Sequence, residues 1–129
     1  MTVESLSTPN GPGAIGPYST AVRAGDWVIV SGQIGIDPTT GALVADDAQA
    51  QATQTLENVR TVLGDCGLRL VDVAKTTLYV TDMADFSVIN EVYADALGDH
   101  RPARATVGVA ALPLGARVLI EAWAWAPVR

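Results

Sequence analysis

Two residues in the second half of the chain have the chemistry to bind and transform a small acid. Arg104 ends the run Arg101-Pro102-Ala103-Arg104 and opens an apolar stretch, Ala105-Thr106-Val107. A guanidinium is a planar fork of donors that can meet a carboxylate with two parallel hydrogen bonds. Pro102 disfavours helix at the residue before it, and Thr106, Val107 and Val109 are β-branched, so Arg104 stands at the mouth of a strand. There it is either a rigid anion anchor or a solvated strand-end arginine. Glu121 is the second residue. It shares one parity of the last strand with Leu119, Trp123 and Trp125, a face that reads as buried. A buried carboxylate is costly unless paired, and burial raises its pKa. It is therefore either a candidate acid or base, or half of a structural ion pair with an arginine.

Other positions offer weaker chemistry. Tyr18 follows the turn-rich segment from Pro9 to Pro17 and presents a hydrogen-bonding tip on an apolar ring. It is a cleft residue or a packing residue. Ser31-Gly32 pairs a small hydroxyl with a position where a ligand can approach the backbone, or else it marks a bulge or strand end. Asn90 falls inside a helical pattern, where asparagine is a poor choice, so it has a tertiary role or faces solvent.

These residues need elements to hold them. Residues 1–8 hold a short first strand. Ser19 to Ala24 and a run starting at Trp27 form a hairpin about Gly25-Asp26. Asp46 to Cys66 is the clearest helix: Ala48, Ala52, Leu56, Val59, Leu63 and Cys66 recur at helical spacing, while Gln49, Gln51, Thr53, Glu57 and Arg60 fall mostly elsewhere. Asp46 or Asp47 caps its start, and Gly67 closes its end better than Gly64. Val71 to Val80 is a strand. A second helix runs from about Asp85 to Leu97, with Phe86, Ile89, Val92, Tyr93 and Ala96 on one face. Strands Arg104 to Ala110 and Ala116 to Ala126 follow, joined by Leu112-Pro113-Leu114-Gly115. In the last strand both parities are apolar, which predicts a sheet covered on both sides. Helices cover the alanine parity, and a neighbouring subunit covers the tryptophan parity.

Composition narrows the function. The 129 residues are 49% hydrophobic and only 17% charged. That excludes a disordered polyelectrolyte and hints at surface buried in an oligomer. The net charge is −6, the pI about 4.4, and only eight residues are Lys or Arg. Nucleic acid is not an expected partner, because phosphates are bound by clustered cations. One cysteine, Cys66, and one histidine fall short of a structural zinc site, and no intramolecular disulfide is possible. No run approaches the ~20 apolar residues that span a bilayer. The opening residues lack the pattern of a secretory signal, so the expected location is cytoplasmic.

The order β-β-β-α-β-α-β-β now combines with four motifs: Ile15-Gly16-Pro17-Tyr18-Ser19, Val30-Ser31-Gly32-Gln33-Ile34, Arg101-Pro102-Ala103-Arg104 and Ile120-Glu121-Ala122. Together they resemble the Rid family, the reactive intermediate deaminases, also called YjgF-like proteins. The likeness extends over nearly all of residues 1–129, read as a single domain. It implies an α+β, chorismate-mutase-like fold: one mixed six-stranded sheet with two helices on one face. It implies a homotrimer with clefts between subunits. It implies hydrolysis of 2-aminoacrylate and 2-aminocrotonate, and their imine forms, to 2-keto acids and ammonia, without a cofactor or metal. Arg104 matches the arginine that holds the substrate carboxylate, and Glu121 the acid that positions or activates water. Tyr18, Ser31, Gly32 and Asn90 match cleft positions. Thr106 stands where many members carry cysteine, at a position whose backbone N–H helps bind the carboxylate. Gly108 replaces a glutamate of many members, which bears on substrate preference. Two alternatives to a general deaminase are a non-catalytic trimeric binder of small 2-keto acids and a pathway-specific deaminase. Ribonuclease activity, ascribed to some relatives, fits poorly with an acidic chain lacking a histidine pair.

Overall fold

A computed structural model describes residues 2–128. The elements are β1 (Val3–Ser5), β2 (Ala21–Ala24), β3 (Trp27–Gln33), α1 (Ala48–Asp65), β4 (Val73–Val80), α2 (Phe86–Leu97), β5 (Ala103–Gly108) and β6 (Val118–Trp125). This is the order read from the sequence; residue 1 of the first-strand reading lies outside the described residues. The strands form one six-stranded mixed sheet in the order β1-β2-β3-β6-β4-β5. Every pairing is antiparallel except β4 with β5. A parallel pair needs a crossover, and α2 lies within it.

The element ends have local causes. Asp47 caps α1 by accepting the Ala50 N–H at 2.9 Å. Gly67, at φ 77°, closes it: Leu68 N–H reaches Leu63 O and Gly67 N–H reaches Gly64 O. β4 starts two residues later than its pattern predicts, because Leu70–Asp72 forms a 3₁₀ turn in which Asp72 accepts the Arg69 N–H. β6 starts at Val118 because Pro113–Gly115 forms another such turn.

Alternation along β6 divides the sheet into two faces. Val118, Ile120, Ala122 and Ala124 are buried in one core with Leu56, Val59 and Leu63 of α1 and Ile89 and Tyr93 of α2. The helices therefore cover the alanine face, as expected. On the other face Trp123 and Trp125 are 40% and 49% exposed, packed edge-to-face against Trp27.

α1 also buries polar groups. Gln51, grouped by its spacing with the polar positions, is fully buried. Its amide Nε2 donates to Ala45 O at 2.7 Å and its Oε1 accepts the Arg117 N–H at 2.8 Å. Asn58 Nδ2 donates to Ile34 O at 3.0 Å and Ile36 O at 2.8 Å. The segment just past β3 is thus pinned to a helix, and Gly35 lets it approach within 2.8 Å of the Gln51 backbone, measured from the Cβ that glycine lacks.

Asn58→Ala should lower stability by about 2–3 kcal/mol, because two buried carbonyls lose their donor. Denaturant titration should show an earlier midpoint with an unchanged slope. An unmoved midpoint would mean that residues 34–36 find other donors.

Candidate active site

Arg104 is the second residue of β5 and pairs with Thr76 of β4, which puts its side chain on the helix face. Its guanidinium lies over the Tyr93 ring at 5.0 Å and the Phe86 ring at 5.5 Å. Its Nη1 donates to Asn90 Oδ1 at 2.8 Å. Phe86, Asn90 and Tyr93 are four and three residues apart, so one stripe of α2 forms the whole cradle. The Tyr93 hydroxyl shares a 2.6 Å hydrogen bond with buried Thr76 Oγ1, which fixes the ring. Phe86 and Tyr93 read from the sequence only as apolar helix positions; an asparagine between aromatics on that stripe was the signal for more. Among the described residues Arg104 forms no ion pair.

β5 is also one of the two edge strands of the sheet. Val109 N–H donates to Val80 O, so residues of that parity turn their main-chain groups toward β4. By alternation the N–H groups of Arg104 and Thr106 point outward along the free edge. The side chain of Thr106 lies on the same face as Arg104, and its Oγ1 is buried without a hydrogen-bond partner.

Glu121 sits elsewhere. It pairs with Thr77 of β4 and so faces away from the helices. It is half-buried, and Tyr79 Oη donates to its Oε1 at 3.3 Å. The charge of Glu121, then burial, holds the Tyr79 phenol above its usual range, so Tyr79 remains a donor at neutral pH. Tyr18, Ser31, Gly32 and Glu121 line one open groove of about 590 Å³ together with Tyr79 and Leu119. The β3–β6 register shifts between Val30 and Gln33, so Ser31-Gly32 is a bulge. It is also a close approach: a Cβ on Gly32 would lie 2.5 Å from Leu119 Cδ2. Ser31 Oγ donates to Ser19 O at 2.6 Å, leaving its lone pairs to accept. Tyr18 is exposed at the groove, its Oη accepting the Ile15 N–H at 3.4 Å.

The residues singled out in the sequence therefore form two groups. Arg104, Asn90 and Thr106 gather at the β5 edge, and Tyr18, Ser31, Gly32 and Glu121 gather on the opposite face of the sheet. Within a single chain Arg104 and Glu121 therefore do not face the same small molecule.

Residues 8–126 match the family model described as Endoribonuclease L-PSP. The chain belongs to the Rid family. A 2-iminobutanoate/2-iminopropanoate deaminase of Salmonella typhimurium is 46% identical over 122 residues, covering 92% of this chain and 94% of the relative. The crystal structure of RidA from a Psychrobacter species superposes with a TM-score of 0.90 at 43% identity, over 95% of this chain and 98% of that one. Escherichia coli TdcF with bound serine superposes at 0.89 and 42% identity, over 95% and 98%. The mixed sheet with two helices is thus the Rid fold.

Two outcomes follow for this Rid chain. Thr106→Val replaces an unpartnered buried hydroxyl with an isosteric methyl, so stability should be unchanged or up to about 1 kcal/mol higher. A clear loss on thermal denaturation would reveal a partner for that hydroxyl. Below the ordinary phenol pKa near 10, Tyr79 is protonated whether the chain is folded or unfolded. Its contribution to stability is present there and is lost as pH rises through the raised folded value. Glu121→Gln removes the main cause, so tyrosinate absorbance assigned by Tyr79→Phe should appear at lower pH. An unshifted titration would break the link between the two groups.

Proposed function

We propose that the chain hydrolyses imines and enamines of small 2-amino acids, such as 2-aminoacrylate and 2-aminocrotonate, to 2-keto acids and ammonia. The observation that carries this reading is Arg104, a guanidinium held by two aromatic rings and an amide with no acidic partner among the described residues. Such a fork suits a ligand carboxylate. The names of the Salmonella relative and its like support the reaction class.

The chemistry is economical. An enamine takes a proton at C3 to become the iminium, whose C2 is strongly electrophilic. Arg104 and the Thr106 N–H hold the carboxylate beside that carbon, which is an orienting role. Glu121 accepts a proton from water as its oxygen bonds to C2, giving a carbinolamine. It then returns the proton to nitrogen and, as the C–N bond breaks and ammonia leaves, takes up the hydroxyl proton, so that C=O forms and the 2-keto acid remains. Tyr79 holds the carboxylate by its hydroxyl, Asn90 positions Arg104, and Tyr18, Ser31 and Gly32 shape the groove.

Because Arg104 and Glu121 lie on opposite faces, the reading requires that the β5 edge of one copy meet the Glu121 groove of the next. We propose a homotrimer built on the exposed tryptophan face to meet this requirement. The binder alternative draws on the TdcF structure, which holds serine. The ribonuclease description of the family model finds little support: the chain carries net charge −6 and a single histidine, His100, which contacts Val73 O and does not line the groove.

Arg104→Ala should abolish both 2-oxobutyrate binding and hydrolysis. Glu121→Ala should keep binding while hydrolysis falls roughly 10²–10⁴-fold. Subunits of the two variants, unfolded and reassembled together, should recover about a quarter of the wild-type rate, since each interface draws its halves independently. No recovery in mixed assemblies sized by light scattering as trimers of the 13.4 kDa chain would sink the shared site. Wild-type turnover in Glu121→Ala would make Glu121 structural. Keto-acid binding without any acceleration in the wild type would favour the binder.

A further inference from the structure

The groove that holds Glu121 continues past Gly32. Tyr18, Gly32, Pro113 and Leu119 also line a second, more enclosed recess behind it. The remaining walls of that recess include Pro12, Ile34 and Ile36, with exposed Ile15 at its rim. Ile34 and Ile36 belong to a small buried cluster with Ala116, against which Leu119 packs, separate from the main core. They cannot easily collapse inward, because both carbonyls are tied to Asn58. Buried Gln33, also in the wall, donates its Nε2 to Ser31 O at 3.2 Å, so the recess and the bulge at Ser31-Gly32 are one construction. The volume is about 140 Å³. An apolar cavity of about 150 Å³ accommodates benzene. The methyl or ethyl group of 2-iminopropanoate or 2-iminobutanoate would leave most of such a space unfilled.

We propose that this recess is the side-chain subsite of the imine site, and that the chain prefers 2-imino acids with apolar side chains of four or more carbons, branched or aromatic. The proposal rests on the reading of the groove as the site of imine hydrolysis. With the substrate carboxylate on the neighbouring copy's β5 edge and C2 beside Glu121, the side chain enters past Gly32, where a Cβ would collide with Leu119.

The test compares 2-oxobutyrate with 4-methyl-2-oxopentanoate by calorimetry. It also compares hydrolysis of the two matching imines, generated in place by an amino-acid oxidase. An isobutyl group buries two carbons more than an ethyl group, so binding and kcat/KM should both favour the larger acid by about tenfold. Ile15 is 70% exposed at the rim, so Ile15→Trp should fold normally and narrow the recess. The large-to-small ratio should then fall about tenfold. Equal affinities in the wild type, or a ratio that Ile15→Trp leaves unmoved, would overturn the subsite. Hydrolysis of the small imine with no preference would refute the subsite alone. A keto-acid preference that responds to Ile15→Trp, with no imine hydrolysed, would support the subsite and refute the deaminase reading. Absence of any keto-acid binding would refute both.

Discussion

The alternation of β6 is the constraint from which the rest follows. This strand lies between β3 and β4 at the centre of the sheet, with a side-chain period of two. Even-numbered positions are small or aliphatic and accept two helices. Odd-numbered positions carry Glu121 among Leu119, Trp123 and Trp125 on the other face. A shift of one residue in register would expose four core side chains and bury a carboxylate under the helices, so the pairing is strongly specified. The same geometry separates Glu121 from Arg104, whose face is set by the parallel pairing of β5 with β4.

Each group is then held by neighbours that fix it before any ligand arrives. Arg104 would be a floppy exposed side chain without Phe86, Asn90 and Tyr93, and ordering it on binding would cost conformational entropy. The aromatic faces attract the cation without neutralising it, so its hydrogen-bonding capacity remains available for an anion. On the opposite face, Tyr79 donates to Glu121 while leaving the second carboxylate oxygen unassigned. Main-chain and side-chain amides do similar work for the groove wall. Gln51 and Asn58 replace strand pairing for irregular backbone that would otherwise be buried unsatisfied.

Much of this was legible in the chain. The spacing of α1 and the two parities of β6 identified the core, because both depend only on local periodicity. Tyr18, Ser31, Gly32 and Glu121 were singled out from scattered positions and do share a groove. What escaped was whatever depends on which element lies opposite. Gln51 looked like a surface residue, since nothing local says that Ala45 O and Arg117 N–H will await its amide. Phe86 and Tyr93 were core-like by spacing, and only the β4–β5 register brings a guanidinium over them. The recess behind Gly32 escaped for the same reason: it joins the loop at residues 12–15 to residues 34–36, which share no sequence pattern.

Exposure gives the proposed assembly its energetic point. Arg104 is solvent-exposed on a single chain, where a carboxylate contact would be screened and worth little. The same contact gains strength when water is excluded, because charge-assisted hydrogen bonds grow as the local dielectric falls. A second copy laid over the β5 edge would provide that exclusion and would bring a carboxylate, Glu121, close enough to serve the reacting carbon. Two negative groups then share one cleft, the Glu121 side chain and the ligand carboxylate. They can coexist only if Arg104 and the edge N–H of Thr106 neutralise the ligand end while Glu121 faces the cationic iminium end. In that arrangement the sheet keeps the opposing groups of one chain apart, and the interface brings them together in a fixed orientation.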